Sequence, residues 1–379
     1  MVRAQMIRIL EAFGEPLAHG GQESYVMSQL SCMDKEGLHI DFLTPYGVEN
    51  DSILASVASW GGDVYHLDLS FHPGKSREYL SRPLAAFFKD RTYDIVHIHS
   101  GSTSVFAIMA CAAKQAGNPR VIAHAHAAPS CMTLKNMVVR LVGGLRMSRY
   151  VDVYCACSRP AGESKFPPGV HSEIRVLHNG IDCSRLVFSP EGRSEIRGEL
   201  GIADDEVVVG NVGRLVDSKN QGFLIEAFGL FRRDCRRSRL LIVGDGPDRA
   251  KLVRRAAELG LSEREVILVG NRDDIPNLLS AMDVFCFPSK FEGFGLAVLE
   301  AEANGLPCIM SPAIPRDVVI DGCTVKVGED SWSPESWAKS LLSLVGCRRF
   351  SGAEHVRAAG FDVHQTSQDL LALYHEAVA

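Results

Sequence analysis

The chain has 379 residues, a hydrophobic fraction of 46% and a net charge of -6, which suggests two globular domains and gives no argument for a nucleic-acid partner. No uninterrupted apolar run reaches the ~18 residues of a spanning helix, and the N-terminus lacks a signal peptide's apolar core and cleavage site. The eleven cysteines are scattered, many of them in apolar runs. We therefore expect reduced, buried thiols in a cytoplasmic protein.

Short apolar runs alternate with helical patterns along the whole chain, which is typical of parallel strands covered by helices. In chain order the predicted strands are MIRIL, HIDFL, DIVHIH, RVIAHAH, DVYCACS, IRVLHN, EVVVGNVG, RLLIVGDG, EVILVG, DVFCFP and PCIMS. Predicted helices include 22–35, 221–233, 248–259 and 275–282, and the last segment, 362–379, also has a helical pattern. The alternation predicts two doubly wound α/β sheets of similar design.

The boundary between the two domains is predicted in a polar stretch, 182–204. No strand is predicted there, and Pro190 and Gly192 interrupt the stretch. The predicted domains are therefore 1–185 and 186–361.

The segment 132–149, MTLKNMVVRLVGGLRMSR, has an amphipathic and basic helical pattern. Its apolar stripe consists of Leu134, Met137, Val138, Leu141, Val142 and Leu145. Four positive charges accompany the stripe without an acid: Lys135, Arg140, Arg146 and Arg149. Such a helix could lie on an anionic membrane, or it could pack its stripe into the core and leave a basic exterior. The sequence leaves both interpretations open.

The strongest functional pattern is FEGFGLAVLEAEANGLP at 291–307, directly after a predicted strand. Gly293 and Gly295 permit a tight turn and a close approach of the backbone to a ligand. The helix predicted from Leu296 offers free N–H groups and a positive dipole end. The segment therefore suits a diphosphate.

Two carboxylates flank this turn. Glu292 lies just before it, and Glu300 lies one helical turn beyond Leu296 on the same face. A carboxylate accepts hydrogen bonds from two adjacent hydroxyls, so the pair suits a ligand with sugars on both sides of a diphosphate. Taken singly, each would be an ordinary surface glutamate. Their combination with the glycines and the helix start favours a nucleotide-sugar site.

These residues match the E-x7-E motif of the large retaining glycosyltransferase family that includes bacterial exopolysaccharide, capsule and lipopolysaccharide transferases and, distantly, glycogen synthase. The similarity extends over nearly the whole chain, through HGGQESYVMSQL, DIVHIHSG, ACSRPAGESKF, VLHNGID, GNVGRLVDSKNQGFLIEAF and LIVGDGPDRAKL. The resemblance implies the GT-B fold, in which two Rossmann-like domains face each other across a cleft. It implies an acceptor-side first domain, a donor-binding second domain, and a last helix, 362–379, that packs back on the first.

The resemblance also implies roles for individual residues. Arg214 and Lys219 would hold the donor diphosphate, Glu300 the ribose, and Glu292 the transferred sugar. The residues implied in donor binding are Gly20, Gly21, Arg214, Lys219, Asn271, Arg272, Glu292, Gly293, Phe294, Gly295, Leu296 and Glu300. Those implied in catalysis are Glu292, His126, Arg214 and Lys219.

His126 is one of two histidines at the end of the predicted strand RVIAHAH. Family members place a histidine here near the donor sugar, although a strand histidine is often a core residue. His124 and His126 lie on one face because they are two residues apart. We prefer His126 because it is nearer the strand end.

The implied reaction is transfer of a sugar, with retention at the anomeric carbon, from a nucleoside diphosphate sugar. The donor would be a UDP-sugar, and the acceptor a glycan or lipid-linked sugar of cell-surface polysaccharide synthesis, at the inner face of the membrane. No D-x-D pattern adjoins the phosphate site, so we expect no metal and no other cofactor. A GT-B sugar-nucleotide epimerase and a non-catalytic sugar-nucleotide-binding protein remain alternatives. An NAD-dependent oxidoreductase is disfavoured because GDGPDR, 244–249, lacks the third glycine of a dinucleotide fingerprint.

Overall fold

The computed structural model describes residues 6–18, 20–72, 76–117, 119–126, 134–292, 294–314, 324–326 and 332–379. The chain divides into two compact units. Unit 1 comprises Met1–Gly180 together with Val363–Ala379, and unit 2 comprises Ile181–Asp362. The division falls a few residues before the predicted one at 185.

Both units are built on parallel sheets, as the alternation of strands and helices predicts. The strands of unit 1 are β1 (Ile7–Phe13), β2 (Leu38–Thr44), β3 (Val64–His66), β4 (Ile95–Ser100), β5 (Arg120–Ala125), β6 (Val153–Ala156) and β7 (Arg175–Val176). Those of unit 2 are β8 (Val207–Val212), β9 (Ser238–Val243), β10 (Val266–Gly270), β11 (Val284–Phe287), β12 (Cys308–Met310) and β13 (Thr324–Lys326).

Helices connect the strands. They are α1 (Gly21–Cys32), α2 (Asp51–Ser59), α3 (Ser81–Lys89), α4 (Thr103–Gly117), α5 (Leu134–Tyr150), α6 (Arg159–Lys165), α7 (Pro190–Glu199), α8 (Gln221–Asp234), α9 (Arg249–Glu258), α10 (Ile275–Ala281), α11 (Leu296–Ala303), α12 (Pro334–Leu344), α13 (Gly352–Ala358) and α14 (Val363–Val378). Short 3-10 turns cover Glu78–Leu80, Pro168–Glu173 and Asp217–Lys219.

The two sheets have corresponding strand orders. Unit 1 has the order β3-β2-β1-β4-β5-β6-β7, and unit 2 has the order β10-β9-β8-β11-β12-β13. In each sheet the order reverses between two central strands, β1 and β4 in unit 1 and β8 and β11 in unit 2. Ligands of open α/β sheets bind outside the carboxyl ends of the strands at such a reversal point.

Apolar clusters cover the faces of both sheets. In unit 1 one cluster lies under α3, α4 and the end of α5, and a second lies under α1 and α14. In unit 2 the core includes Phe228, Phe231 and Trp337, none of them exposed to solvent. Burying each such side chain stabilises the fold by roughly 1.5–3 kcal/mol.

Two parts of the sequence prediction are wrong in detail. The pattern misses β3 and β13, because a three-residue strand is too short to show a period. Pro190 does not break regular structure but lies in the first turn of α7. A backbone N–H at that position has no partner within the helix, so its absence in proline loses no hydrogen bond. The Ser189 hydroxyl caps that helix by accepting from the Gly192 N–H at 3.0 Å.

Candidate functional site

The loops that follow β8 and β11 meet at the reversal point of the unit 2 sheet. The Lys290 N–H donates to the Ser218 carbonyl at 2.8 Å. The Lys290 ammonium also pairs with Asp217 at 2.9 Å. The connection fixes two loops from distant parts of the sequence against each other.

Lys219 and Glu292 form an ion pair between these loops. Lys219 Nζ lies 2.5 Å from Glu292 Oε2, and both side chains are largely buried, with 23% and 15% exposed. The ammonium also lies 4.9 Å from the centre of the Phe287 ring, which ends β11. An ammonium has three N–H donors, so this contact leaves Lys219 able to donate to a ligand as well. The structure therefore brings two of the predicted site residues into direct contact.

Arg214 lies in the same loop as Lys219. Its side chain is exposed, and among the described residues its guanidinium makes no ion pair. Its carbonyl accepts from Gln221 Nε2 at 3.2 Å, which ties the loop to the first turn of α8. The loop thus presents one paired and one exposed cation.

The predicted turn before α11 adopts a left-handed backbone. Gly295 has φ 97° and is the N-cap residue of α11, which begins at Leu296. A residue with a Cβ would be strained at this φ, so glycine is required for the chain to enter the helix here. Phe294 is buried and packs against Phe361, with ring centres 5.6 Å apart. Gly293 lies outside the described residues.

Glu300 lies on α11 one turn after its start. Within the described residues its carboxylate makes no hydrogen bond, and burial raises the pKa of Glu300 to about 7. The cause is that the carboxylate is removed from water and receives no hydrogen bond that would stabilise its charge. A perturbed carboxylate beside a helix start is a candidate ligand contact.

The loop after β10 holds the other predicted residues of unit 2. Asn271 is exposed. Arg272 instead binds two carboxylates, with contacts of 2.6 Å to Glu199 and 2.7 Å to Asp274. These contacts raise the pKa of Arg272 and occupy the plane of its guanidinium. If Arg272 contacts the nucleobase of the donor, it would therefore do so through its backbone or through the flat face of its guanidinium.

In unit 1 the predicted glycines lie at the start of α1. Gly20 is the N-cap residue, and the helix begins at Gly21. A partly buried acid that sequence reasoning missed adjoins them. Glu15 accepts from Gln22 Nε2 at 3.0 Å and from Ser100 Oγ at 3.2 Å, and burial raises the pKa of its carboxyl. Glu15 and Ser100 follow β1 and end β4, so they mark the reversal point of the unit 1 sheet.

His126 belongs to a cluster of four histidines in unit 1. His97 and His99 on β4 face His124 and His126 on and after β5, and all but the partly exposed His126 are buried. Nitrogens of His97, His99 and His124 lie within 4.8 Å of one another, close enough to hold a metal ion. Sequence reasoning considered only the pair on β5. The same alternation in DIVHIH is the signal that would have found the other pair.

Helix α5 contains the end of the predicted amphipathic stripe. Val142 and Leu145 are 50% and 72% exposed. The inner face of the helix is instead formed by Gly143, Gly144 and the fully buried Met147. A Cβ at Gly143 would lie 2.9 Å from Thr103 Cγ2. The interpretation that this stripe packs into the core is therefore wrong for Val142 and Leu145. The rest of the stripe, at 134–141, and residues 132–133 lie outside the described side chains.

One basic residue of α5 forms an ion pair with an acid from another part of unit 1. Arg146 pairs with Glu78 of the 3-10 turn at 2.7 Å. None of the helices in the described part of the chain combines the length and apolar character of a membrane span.

The cysteines in the described part of the chain form no disulfide. Cys155, Cys157, Cys183, Cys286 and Cys308 are buried, and Cys347 is exposed. Burial raises the pKa of the Cys155 thiol to about 12, so this thiol stays protonated and unreactive.

Comparisons with known proteins agree with this architecture. Residues 19–185 match the Glycosyltransferase Family 4 model, and residues 192–358 match the Glycosyl transferases group 1 model. EpsF of Bacillus subtilis (strain 168), which is named as a glycosyltransferase, is 28% identical over 365 residues, 94% of this chain and 93% of EpsF. An Escherichia coli UDP-Gal:alpha-D-GlcNAc-diphosphoundecaprenol alpha-1,3-galactosyltransferase is 32% identical over 243 residues, 60% of each chain.

Solved structures share the fold. Anabaena HepE in complex with UDP-glucose superposes with a TM-score of 0.77 at 20% identity, over 98% of this chain and all of HepE. WaaG, a glycosyltransferase involved in lipopolysaccharide biosynthesis, superposes with a TM-score of 0.63 at 18% identity, over 98% of each chain. The two Rossmann-like sheets thus define a protein of the GT-B fold. With a Family 4 domain followed by a group 1 domain, the chain belongs to the glycosyltransferases.

Proposed function

We propose that this protein transfers a sugar, with retention, from a UDP-sugar to a glycan or lipid-linked sugar of cell-surface polysaccharide synthesis, in the cytoplasm. The observation that carries the proposal is the Lys219–Glu292 pair at the reversal point of the unit 2 sheet, in the loop that leads to α11. The Lys219 ammonium and the N-terminus of α11 can bind a diphosphate, and the carboxylates of Glu292 and Glu300 can accept hydrogen bonds from sugar hydroxyls. A relative named for a UDP-Gal donor supports the choice of base.

The proposed chemistry needs no covalent intermediate with the protein. The acceptor oxygen bonds to the anomeric carbon as the bond from that carbon to the diphosphate oxygen breaks, and the acceptor proton moves to the departing phosphate. Negative charge develops on the diphosphate, so the protein accelerates the step by stabilising that charge. We assign this work to Lys219, Arg214 and the start of α11.

A screen of UDP-, GDP- and ADP-sugars by thermal shift tests the donor class, because a ligand that binds only the folded state raises its melting temperature. A UDP-sugar is expected to give the largest shift. Conversion of that UDP-sugar into another nucleotide sugar without an acceptor would indicate the epimerase instead. Binding without turnover, with every acceptor offered, would indicate the binding protein.

We predict that turnover does not require Mg²⁺ or Mn²⁺. Lys219, Arg214 and the N-terminus of α11 supply the positive charge that a divalent ion would otherwise bring to the diphosphate. The rate of UDP release should be the same in EDTA and in added Mg²⁺. A rate that falls in EDTA and recovers with metal would contradict this assignment.

We also propose that α5 contacts an anionic membrane near a lipid-linked acceptor, since Val142 and Leu145 are exposed beside its basic residues. Each basic residue near such a surface contributes about 1 kcal/mol, so an Arg140→Glu/Arg146→Glu variant should bind anionic liposomes at least about tenfold more weakly. Salt should weaken wild-type binding similarly. The matched control is Arg82→Glu/Lys89→Glu on α3, where both residues are exposed. Equal losses in both variants, or no wild-type binding at low salt, would disprove the contact.

A further inference from the structure

A buried hydrogen-bond network in unit 1 connects Glu11 to His126. Glu11 Oε2 lies 2.7 Å from His99 Nε2, and His99 Nδ1 lies 2.9 Å from His126 Nε2. Glu11 and His99 are fully buried. At the far end, His126 Nδ1 is buried and has no hydrogen-bond partner among the described residues.

A second branch leaves the same carboxylate through the last helix. Tyr374 of α14 donates to Glu11 Oε1 at 2.5 Å and lies 2.8 Å from His97 Nδ1. His97 Nε2 in turn lies 3.2 Å from His124 Nδ1, and this branch ends at His124 Nε2, which has no partner among the described residues. Glu11 is thus the common origin of two chains of hydrogen bonds.

The histidines are uncharged in this environment. Burial lowers the pKa of His99 to about 3 and holds the pKa values of His97, His124 and His126 well below the ordinary value. A neutral imidazole has one N–H donor and one bare nitrogen. Each contact in the network therefore fixes which nitrogen of the next ring carries the proton.

Glu11 sets the direction of both branches. Burial raises the pKa of Glu11, while the hydrogen bond from Tyr374 acts in the opposite direction. The contacts of 2.5 Å from Tyr374 and 2.7 Å from His99 fall in the range of charge-assisted bonds to an ionised acceptor. As a carboxylate, Glu11 accepts from both.

We propose that Glu11 and His99 are positioning residues that hold His126 as the Nε2–H tautomer, so that its Nδ1 is an acceptor for a hydroxyl of the transferred sugar. The donors run in one direction: His126 Nε2–H to His99 Nδ1, and His99 Nε2–H to Glu11. The bare His126 Nδ1 lies just beyond the carboxyl end of β5, at the edge where ligands of parallel sheets bind. The identity of the hydroxyl rests on the proposed function, but the tautomer does not.

A metal ion is the competing occupant of the cluster. A histidine binds zinc through a bare ring nitrogen. Both ring nitrogens of His99, one of the three candidate ligands, instead lie at hydrogen-bond distances, 2.7 Å from Glu11 Oε2 and 2.9 Å from His126 Nε2. The proposal would be overturned if the purified protein held stoichiometric metal, and if removing that metal with a chelator also changed the tautomers of the histidines.

The ¹⁵N spectrum of histidine-labelled full-length protein reads the tautomers directly. In the wild type we expect protonated Nε2 on His99 and His126, and protonated Nδ1 on His97 and His124. Protonated Nδ1 on His126 would overturn the proposal even if no variant folds.

Glu11→Gln supplies the matched perturbation. An amide has one accepting and one donating end, so it cannot accept from both Tyr374 and His99, and one of the two branches must reverse. The control is Asp41→Asn, another buried carboxylate that accepts from a tyrosine, Tyr93, at 3.0 Å. We expect the tautomer of His126 or of His124 to change in the first variant and neither to change in the second. Unchanged tautomers in Glu11→Gln would overturn the proposal.

Titration with a UDP-sugar and with UDP separates this inference from the proposed function. The His126 Nδ1 resonance should move with the UDP-sugar and not with UDP. If the UDP-sugar binds and the resonance stays, the ligand role of His126 is wrong. If no nucleotide sugar binds, the proposed function fails, while the wild-type tautomers still decide the hydrogen-bond direction. When Glu11→Gln reverses the His126 branch, turnover should fall roughly 10- to 100-fold with UDP affinity unchanged.

Discussion

Lys219→Ala should lower the rate of sugar transfer about 100- to 1000-fold, the usual effect of removing one preorganised donor to a developing negative charge. The Lys219 ammonium lies between the loops after β8 and β11 and is only 23% exposed, so water screens it weakly. Its loss also leaves Glu292 without its ion-pair partner. We expect the change mainly in kcat, because the leaving diphosphate gains charge in the transition state.

Lys290→Ala is the matched control for this variant. Lys290 lies in the neighbouring loop and also pairs with a carboxylate, Asp217, but it is more exposed at 37%. An exposed ion pair contributes little, so turnover should change less than about threefold. If the two variants lost turnover to a similar extent, the contact between the two loops would be what matters, and Lys219 would have no separate role in catalysis.

Glu300→Gln should weaken the binding of both UDP and the UDP-sugar. We assign Glu300 to the ribose, which both ligands contain, and losing a charge-assisted hydrogen bond costs about 1.5–3 kcal/mol, or roughly 10- to 150-fold in affinity. Glu292→Gln should spare UDP and lower turnover of the UDP-sugar, because we assign Glu292 to the transferred sugar. Calorimetry with UDP and steady-state rates distinguish the two. Equal, small effects would refute both assignments.

The pH dependence of binding gives Glu300 a second signature. Burial raises the pKa of Glu300 to about 7 in the folded protein, against about 4.3 in an unfolded chain. Between these values the folded chain retains a proton that the unfolded chain has lost, so this group's contribution to stability is lost as pH rises towards 7. A ligand that needs the ionised carboxylate should gain affinity over the same window and level off above it. In Glu300→Gln, the part of the pH dependence that comes from this carboxyl should disappear from both the stability and the ligand affinity.

The turn and helix at 294–303 could be predicted from local sequence, because a strand, a left-handed glycine and a helix follow one another directly. The Lys219–Glu292 contact could not, since the two residues are separated by 73 positions and only the strand order brings them together. The histidine network depends on the register between β1, β4 and β5 and on the return of α14 to unit 1. Neither Glu11 nor Tyr374 belongs to a recognisable motif, so only the folded structure joins them.

The central claim, retaining transfer from a UDP-sugar, is tested most directly by the anomeric configuration of the product. Proton NMR can follow the reaction of an α-linked UDP-sugar with a panel of polyprenyl-diphosphate sugars, while UDP release is measured in the same tube. We predict an α-linked product formed in equal amount with UDP. A β-linked product, or no UDP release from any nucleotide sugar with any of these acceptors, would contradict the assignment.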